Sequence, residues 1–359
     1  MKHWAHNGFK ALTSAWVLAL LATVAWSQSL TWLGTLPGGS ESLAWGVSAD
    51  GAVVVGFAFN AAGQLHAFRW TASGGMQDLG TLGGNRSEAY GVSADGAVVV
   101  GYAVNAAWYE RAFRWTASGG MRDLGTLGGR SSMANAVSAD GRVVVGWADN
   151  SSGRRRAFRW TAAGGMRDLG TLGGRSSAAS DVSADGSVVV GEAQNAAGQS
   201  RAFRWTAAGG MRDLGTLGGR SSAASDVSAD GSVVVGKAQN AAGQWRAFRW
   251  TAAGGMRDLG TLPGGRESWA SDVSADGRVV VGWADNGTGL WRAFRWTASG
   301  GMEDLNITYA NLLTKGSVLT NAFAISPNGR YIVGAGYNAA TGRIEAFLLD
   351  TGFPRRGGM

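Results

Sequence analysis

The sequence predicts an all-β chain: one seven-bladed β-propeller of four-stranded repeats of about 45 residues. Three observations carry this. Residues 166–210 and 211–255 are the same 45 residues with two changes, Glu192 to Lys237 and Ser200 to Trp245. Four short motifs of that unit recur seven times along the chain, the seventh time in degenerate form. The repeat is also cut out of phase. It begins on Trp32-Leu33-Gly34-Thr35-Leu36 and ends on Ala346-Phe347-Leu348-Leu349, so the last unit lacks a fourth strand that the N-terminus supplies. Such an exchange shuts a ring and removes two open sheet edges, which an open solenoid with polar caps does not need.

The elements follow in order. Leu-Gly-Thr-Leu starts at Leu33, Leu79, Leu124, Leu169, Leu214 and Leu259 and is read as strand or turn. Val-Ser-Ala-Asp-Gly ends at Gly51, Gly96, Gly141, Gly186, Gly231 and Gly277. Its seventh copy, Ile325-Ser326-Pro327-Asn328-Gly329, identifies a type I turn closed by a Gly bulge, with Pro where φ is near −65° and Gly where φ is positive. Val-Val-Val-Gly follows, then a second turn of the same form at residues 195–198, then Ala-Phe-Arg-Trp. Gly209-Gly210 returns the chain to Asp-Leu-Gly-Thr-Leu. Short β-branched runs and Gly-rich turns suit four antiparallel strands per unit.

Residues 1–27 read as a secretory signal peptide: Lys2 and Lys10, an apolar run over 11–26, then Ala25-Trp26-Ser27. The run of 16 is short for a membrane span of about 20. The propeller occupies 28–350, and 351–359 form a short tail without an anchor. The expected destination is secreted or extracytoplasmic, with no membrane span in the mature chain.

Composition excludes several chemistries. There is no Cys, hence no disulfide and no thiolate. Of three His only His66 lies beyond the leader, which argues against His-based metal sites and Ser-His catalysis; no metal and no cofactor are expected. The formal charge of +7 falls to +5 without Lys2 and Lys10. The Arg residues are spread at the repeat period instead of clustering, so nucleic acid is not an expected partner.

His66-Ala67-Phe68-Arg69-Trp70, followed by Met76-Gln77-Asp78-Leu79-Gly80-Thr81-Leu82-Gly83-Gly84, resembles the HAF-repeat family of probable extracellular proteins, and the unit from Asp304-Leu305-Asn306 resembles that family's terminal repeat. The resemblance implies an exported repeat protein and no settled activity. The middle units carry Arg111, Arg156, Arg201, Arg246 and Arg292 at the His position, and the last carries Glu345.

Candidate residues fall into three groups. Phe203 and Trp205 share one strand face and read as core, and Arg204 with Asp213 reads as a cross-hairpin pair. Asp181, Asp226 and Asp272 fill one position in three consecutive units where the others have Gly46, Gly91, Ala136 and Ala324. If that strand is innermost they flank the central channel, as a cation site, as an acid pair for hydrolysis, or as one solvated Asp copied by duplication. The third group escapes copying. Phe57, Tyr102, Trp147, Glu192, Lys237 and Trp283 form one column; Leu65, Glu110, Arg155, Ser200, Trp245 and Trp291 form the other. Variable aromatics on a fixed frame suit recognition, so Tyr102, Trp147, Trp245, Trp283 and Trp291 are the candidate ligand contacts; the competing reading has them cover blade edges. The expected function is a non-catalytic binding or scaffold module for glycans or another extracellular polymer or surface ligand. The alternative is a propeller hydrolase or lyase using the channel carboxylates.

Overall fold

A computed structural model describes residues 27–352; residues 1–26, and with them the signal-peptide expectation, and residues 353–359 lie outside the described residues. Seven four-stranded antiparallel sheets follow one another around an axis, blades 2 to 6 spanning 83–123, 128–168, 173–213, 218–258 and 268–304. In the first blade the strands are Ser42–Val47, Val54–Phe59, Leu65–Thr71 and Gly75–Asp78, innermost first. In the seventh, Val318–Ile325, Tyr331–Asn338 and Arg343–Asp350 are completed by Ser29–Trp32, with Ser29 opposite Asp350 and Trp32 opposite Phe347. The expected exchange of the N-terminal strand is therefore observed.

Both turns have the expected form. Gly51 has φ 73° and its N–H donates to Ser48 O at 3.0 Å, while Ser48 N–H donates to Val53 O at 2.9 Å. Asp50 Oδ1 accepts from Ser48 Oγ and Ala52 N–H, which explains why Ser and Asp accompany the Gly. The other recurrent Gly has a packing cause. A Cβ on Gly191, last in Val-Val-Val-Gly, falls 2.1 Å from Ala178 O on the inner strand.

Among the hydrogen bonds that tie blade to blade, two systems run around most of the ring. In six blades a buried Ser of the inner strand, such as Ser87, accepts from Ala67 N–H of the preceding blade and donates to Gly80 O of the connecting segment. The inner turns also form a ring. Ala49 N–H donates to Ala94 O, Ala94 to Ala139, Ala139 to Ala184, Ala184 to Ala229, Ala229 to Ala275 and Ala275 to Pro327 O. Pro327 has no N–H to continue; Asn328 Nδ2 donates to Ala49 O at 3.4 Å and completes the circle.

Three expectations need correction. Leu-Gly-Thr-Leu is no strand: pairing ends at Asp213, and the motif runs to the next blade, making isolated bridges such as Leu217 with Asn240. Arg204 does not pair with Asp213. In register Phe203 opposes Asp213, so alternation puts Arg204 on the other face. Arg204 Nε instead donates to Gly231 O of the next blade at 3.0 Å, and Asp213 pairs with Arg201 at 3.6 Å. His66 holds the Arg201 position, with Nδ1 2.7 Å from Asp78. Finally, Phe203 is fully buried between blades but Trp205 is half-buried, because the outermost strand is only four residues long and only Met211 opposes it there.

Candidate functional site

The inner strands carry a bulge in every blade. Ala179 faces Gly191 and Asp181 faces Val190, which leaves Ser180 unpaired. The bulge lets two consecutive residues per blade line the axial channel, which encloses about 190 Å³. The first of the two is Trp45, Tyr90, Asn135, Ser180, Ser225, Ser271 and Phe323; the second is Gly46, Gly91, Ala136, Asp181, Asp226, Asp272 and Ala324. The lining is thus divided: aromatic in blades 7, 1 and 2, acidic and hydroxylated in blades 4, 5 and 6.

On the acidic side each carboxylate reaches to the following blade. Asp181 Oδ2 accepts from Val227 N–H at 3.2 Å, Asp226 Oδ2 from Val273 N–H at 2.7 Å, and Asp272 Oδ2 from Ile325 N–H at 2.7 Å. No cationic side chain lines the channel among the described residues. Burial, followed by the charges of Asp181 and Asp272, holds the Asp226 carboxyl well above the usual carboxylate range. Asp181 is pushed up to about 6, first by burial and also by the charge of Asp272, against the opposing bond to Asp226. Burial raises Asp272 as well. The three form one proton-sharing row. Asp185 and its equivalents are turn residues whose carboxyls are held low by the Ser hydroxyl and backbone N–H bonds. Among the described residues no group of three or more His, Cys, Asp or Glu is arranged to hold a metal ion, and no helix is long and apolar enough to cross a membrane.

On the other side the rings join. Trp45 stacks on Phe323 with centroids 4.1 Å apart and meets Tyr90 edge-on at 5.8 Å. Phe323 touches Trp283 at 5.7 Å, Trp283 touches Trp269 at 5.1 Å, and Trp269 stacks on Trp291 at 5.4 Å. Tyr90 continues to Tyr102 at 6.1 Å. An aromatic arc thus runs from blade 2 through blades 1 and 7 to blade 6. The indole N–H groups of Trp45 and Trp269 are buried and have no hydrogen-bond partner.

The five candidate contacts separate here. Trp283 and Trp291 belong to the arc, and Trp245 stands beside it, with Lys237 Nζ 5.0 Å from its ring and 4.6 Å from that of Trp269. All three are half-buried. Tyr102 is only 2% exposed and Trp147 only 7%. Tyr102 donates to the buried Glu88 Oε1 at 2.7 Å, and Arg155 lies 3.7 Å over the Trp147 ring. Those two rings offer no open face.

The two variable columns are also not independent. In blades 3, 4 and 5 their members meet diagonally across the hairpin: Arg155 covers Trp147, Glu192 accepts from Ser200 Oγ at 2.9 Å, and Lys237 meets Trp245. The only two changes between the near-identical units are the two halves of one contact. Trp45, Tyr90, Trp269 and Phe323 were missed in the sequence. Their signal was available: Trp45, Tyr90 and Phe323 fill the inner-strand column where the other units carry Asn135, Ser180, Ser225 and Ser271, and Trp269 stands where the others carry Leu43, Glu88, Met133, Ala178, Ala223 and Asn321.

No family model matches the chain, and no curated protein matches it. Solved structures do. A prolyl endopeptidase shares 13% identity over 90% of this chain and 50% of its own, with a TM-score of 0.56. The BP39L lectin from Burkholderia pseudomallei shares 10% identity over 87% of this chain and 96% of its own, with a TM-score of 0.54. TolB from Acinetobacter baumannii shares 15% identity over 60% of this chain, with a TM-score of 0.45. The chain spans about half the length of the endopeptidase and 52% of that TolB. At these identities the likeness is one of fold.

Proposed function

We propose that the protein is an exported, non-catalytic binding or scaffold module of the HAF-repeat kind, and that its ligand sits at the channel mouth against the aromatic arc. The observation that carries this is the arc itself, whose Trp45, Trp269, Trp283 and Trp291 rings are only half-buried. Flat, partly open rings suit the apolar face of a sugar ring, so the ligand class is a glycan or glycan-bearing extracellular polymer. The leader read over residues 1–27 supports the extracytoplasmic setting in which such polymers occur. The test is a glycan array with wild type, Trp245→Ser and Trp291→Ser, each first matched for melting temperature. Loss of the wild-type signals in both variants supports the reading; binding that survives both changes overturns it.

A second reading, hydrolase or lyase, has one observation in its favour: a proton-sharing carboxylate row with Asp181 at about 6, where general acids operate. Against it, each carboxylate already accepts a backbone N–H from the next blade. Asparagine at all three positions, assayed on polysaccharide and ester panels, separates the two; turnover that the triple change abolishes favours the enzyme.

A further inference from the structure

We infer that Trp108 and Tyr109, at the tip of a blade 2 turn, are a second contact platform for a chain of sugar rings. The inference rests on the glycan reading above and extends it to a site outside the channel.

The observation is a backbone outlier that the repeat makes legible. Position 108 closes the turn between the second and third strands. In sister blades it is Gly63, Gly153, Gly198 and Gly243, all with φ between 67° and 79°. Trp108 adopts the same left-handed conformation, φ 63°, and among the described residues no other non-glycine does so. The turn itself is unaltered: Trp108 N–H donates to Asn105 O at 2.9 Å, and Ala107 and Tyr109 N–H both donate to Asn105 Oδ1. A bulky side chain in this conformation is strained. The fold receives no packing in return, because Trp108 is 70% exposed.

The next residue differs from the Gln of three sister blades, a position that is Arg154 and Leu290 in two others. Gln199 and Gln244 accept from the Asn side chain of their turns at 3.2 Å, a bond that Tyr109 does not make. In place of Gly-Gln, blade 2 presents two aromatic rings, with the Arg130 guanidinium 5.8 Å over that of Tyr109. Strain and a lost bond at an exposed tip are retained where they serve something outside the chain.

The chemistry around the tip selects the occupant. Ala106 and Ala107 beside it are small and exposed, and no aliphatic side chain flanks the rings in the turn. A protein hot spot is ringed by groups that exclude water, and a bilayer site needs a larger apolar face. A free-standing flat ring beside Tyr109 and the Arg130 guanidinium over it suits the apolar face of a pyranose, whose hydroxyls can meet that charge. The tip lies three residues beyond Asn105, the last residue of the blade 2 strand that carries Tyr102 of the arc, so the platform stands at one end of the blade whose inner strand lines the channel with Tyr90.

The test measures retention on insoluble chitin, cellulose and peptidoglycan sacculi for wild type, Trp108→Gly, Tyr109→Gln and Trp291→Ser, with melting temperature for each. The two platform changes restore the sister sequence, so neither should lower the melting temperature. Trp108→Gly is expected to weaken retention about tenfold, as for one aromatic anchor, and Tyr109→Gln less. If Trp108→Gly binds as wild type while Trp291→Ser is released, the platform is overturned and the channel-mouth reading stands. If wild type is retained on none of the three, or all variants bind alike, both fall. A lower melting temperature for Trp108→Gly makes the residue part of the fold and overturns the inference. So does binding to phosphatidylglycerol vesicles or to single-stranded DNA that Trp108→Gly abolishes while retention on polysaccharide is unchanged.

Discussion

Blades 4 to 6 and blades 7, 1 and 2 present the same backbone to the channel and fill it in opposite ways. One side places Ser and Asp on the bulge; the other places an aromatic ring and a residue no larger than Ala. The backbone is indifferent to the choice, because it is held from behind by a repeated frame: the buried Phe of the third strand and the Val of the second in every blade, and the Ser that bridges blades in six of the seven. Architecture and lining are therefore separable in this protein. The repeat preserves the first and leaves the second free to differ around the ring.

The largest expected effect tests that separation. Phe203→Ala, behind the acidic side, and Phe68→Ala, behind the aromatic side, each empty a fully buried site. Each should cost about 3–5 kcal/mol, measured by urea unfolding. Similar losses support a frame that ignores its lining; a loss confined to one side means that the lining contributes to the frame.

Next in size is the acidic side's dependence on pH. A carboxyl raised in the folded state favours folding when protonated. Its contribution is complete below the unfolded value near 3.8 and is lost as pH rises through the folded value, about 6 for Asp181. Stability contributed by the row should fall between pH 4.5 and 7.5. Asp226→Asn keeps a donor toward its neighbours and an acceptor for Val273 N–H while removing one charge. At pH 7.5 it should stabilise by on the order of 2 kcal/mol relative to wild type, and by little at pH 4.5. A difference between the two proteins that does not change with pH disposes of the proton-sharing row. The aromatic side supplies the control, since Trp45→Phe should not alter the pH profile.

Tyr102→Phe is smaller. It removes one donor from the buried Glu88 and leaves those from Arg86 and Tyr90. A loss of about 1–2 kcal/mol in a thermal melt is expected, with glycan binding unchanged, because the Tyr102 ring is enclosed.

How much of this could be read from the sequence depended on how local the cause was. Turn type followed from Pro327 and the trailing Gly, and the exchanged strand from the phase of the repeat; both are properties of a few adjacent residues or of simple counting. The pairing of Arg204 was misread because it depends on register. A shift of one residue reverses the face, and the Phe203–Asp213 opposition is not visible without the coordinates. The Asp column was legible as a column, but its raised protonation is not, since that needs the three side chains within reach across blades. Tyr102 and Trp147 looked like surface for a related reason. Variation between units suggests exposure, but Tyr102 is closed over by Glu88 and Trp147 by Arg155, so here it records local packing partners that differ from blade to blade. The family resemblance stays an expectation, resting on the residues around His66.

Those packing partners yield the smallest and most discriminating prediction. Blades 4 and 5 differ by Glu192 and Ser200 against Lys237 and Trp245, and each pair is in contact. Consider blade 5 converted stepwise into blade 4. Trp245→Ser alone leaves Lys237 with the Trp269 ring 4.6 Å away, so part of its cation–π attraction survives. Lys237→Glu alone sets a carboxylate against two ring faces, whose quadrupoles repel it. The double change removes one of those faces and lets the introduced serine donate to the introduced glutamate, as Ser200 does to Glu192. The two single losses should therefore sum to more than the double loss, with a coupling of about 0.5–1 kcal/mol in a double-mutant cycle. Additive losses show the two columns to be independent, in which case their shared variation between these units needs a cause outside the blade, and a ligand touching both becomes the better account of it.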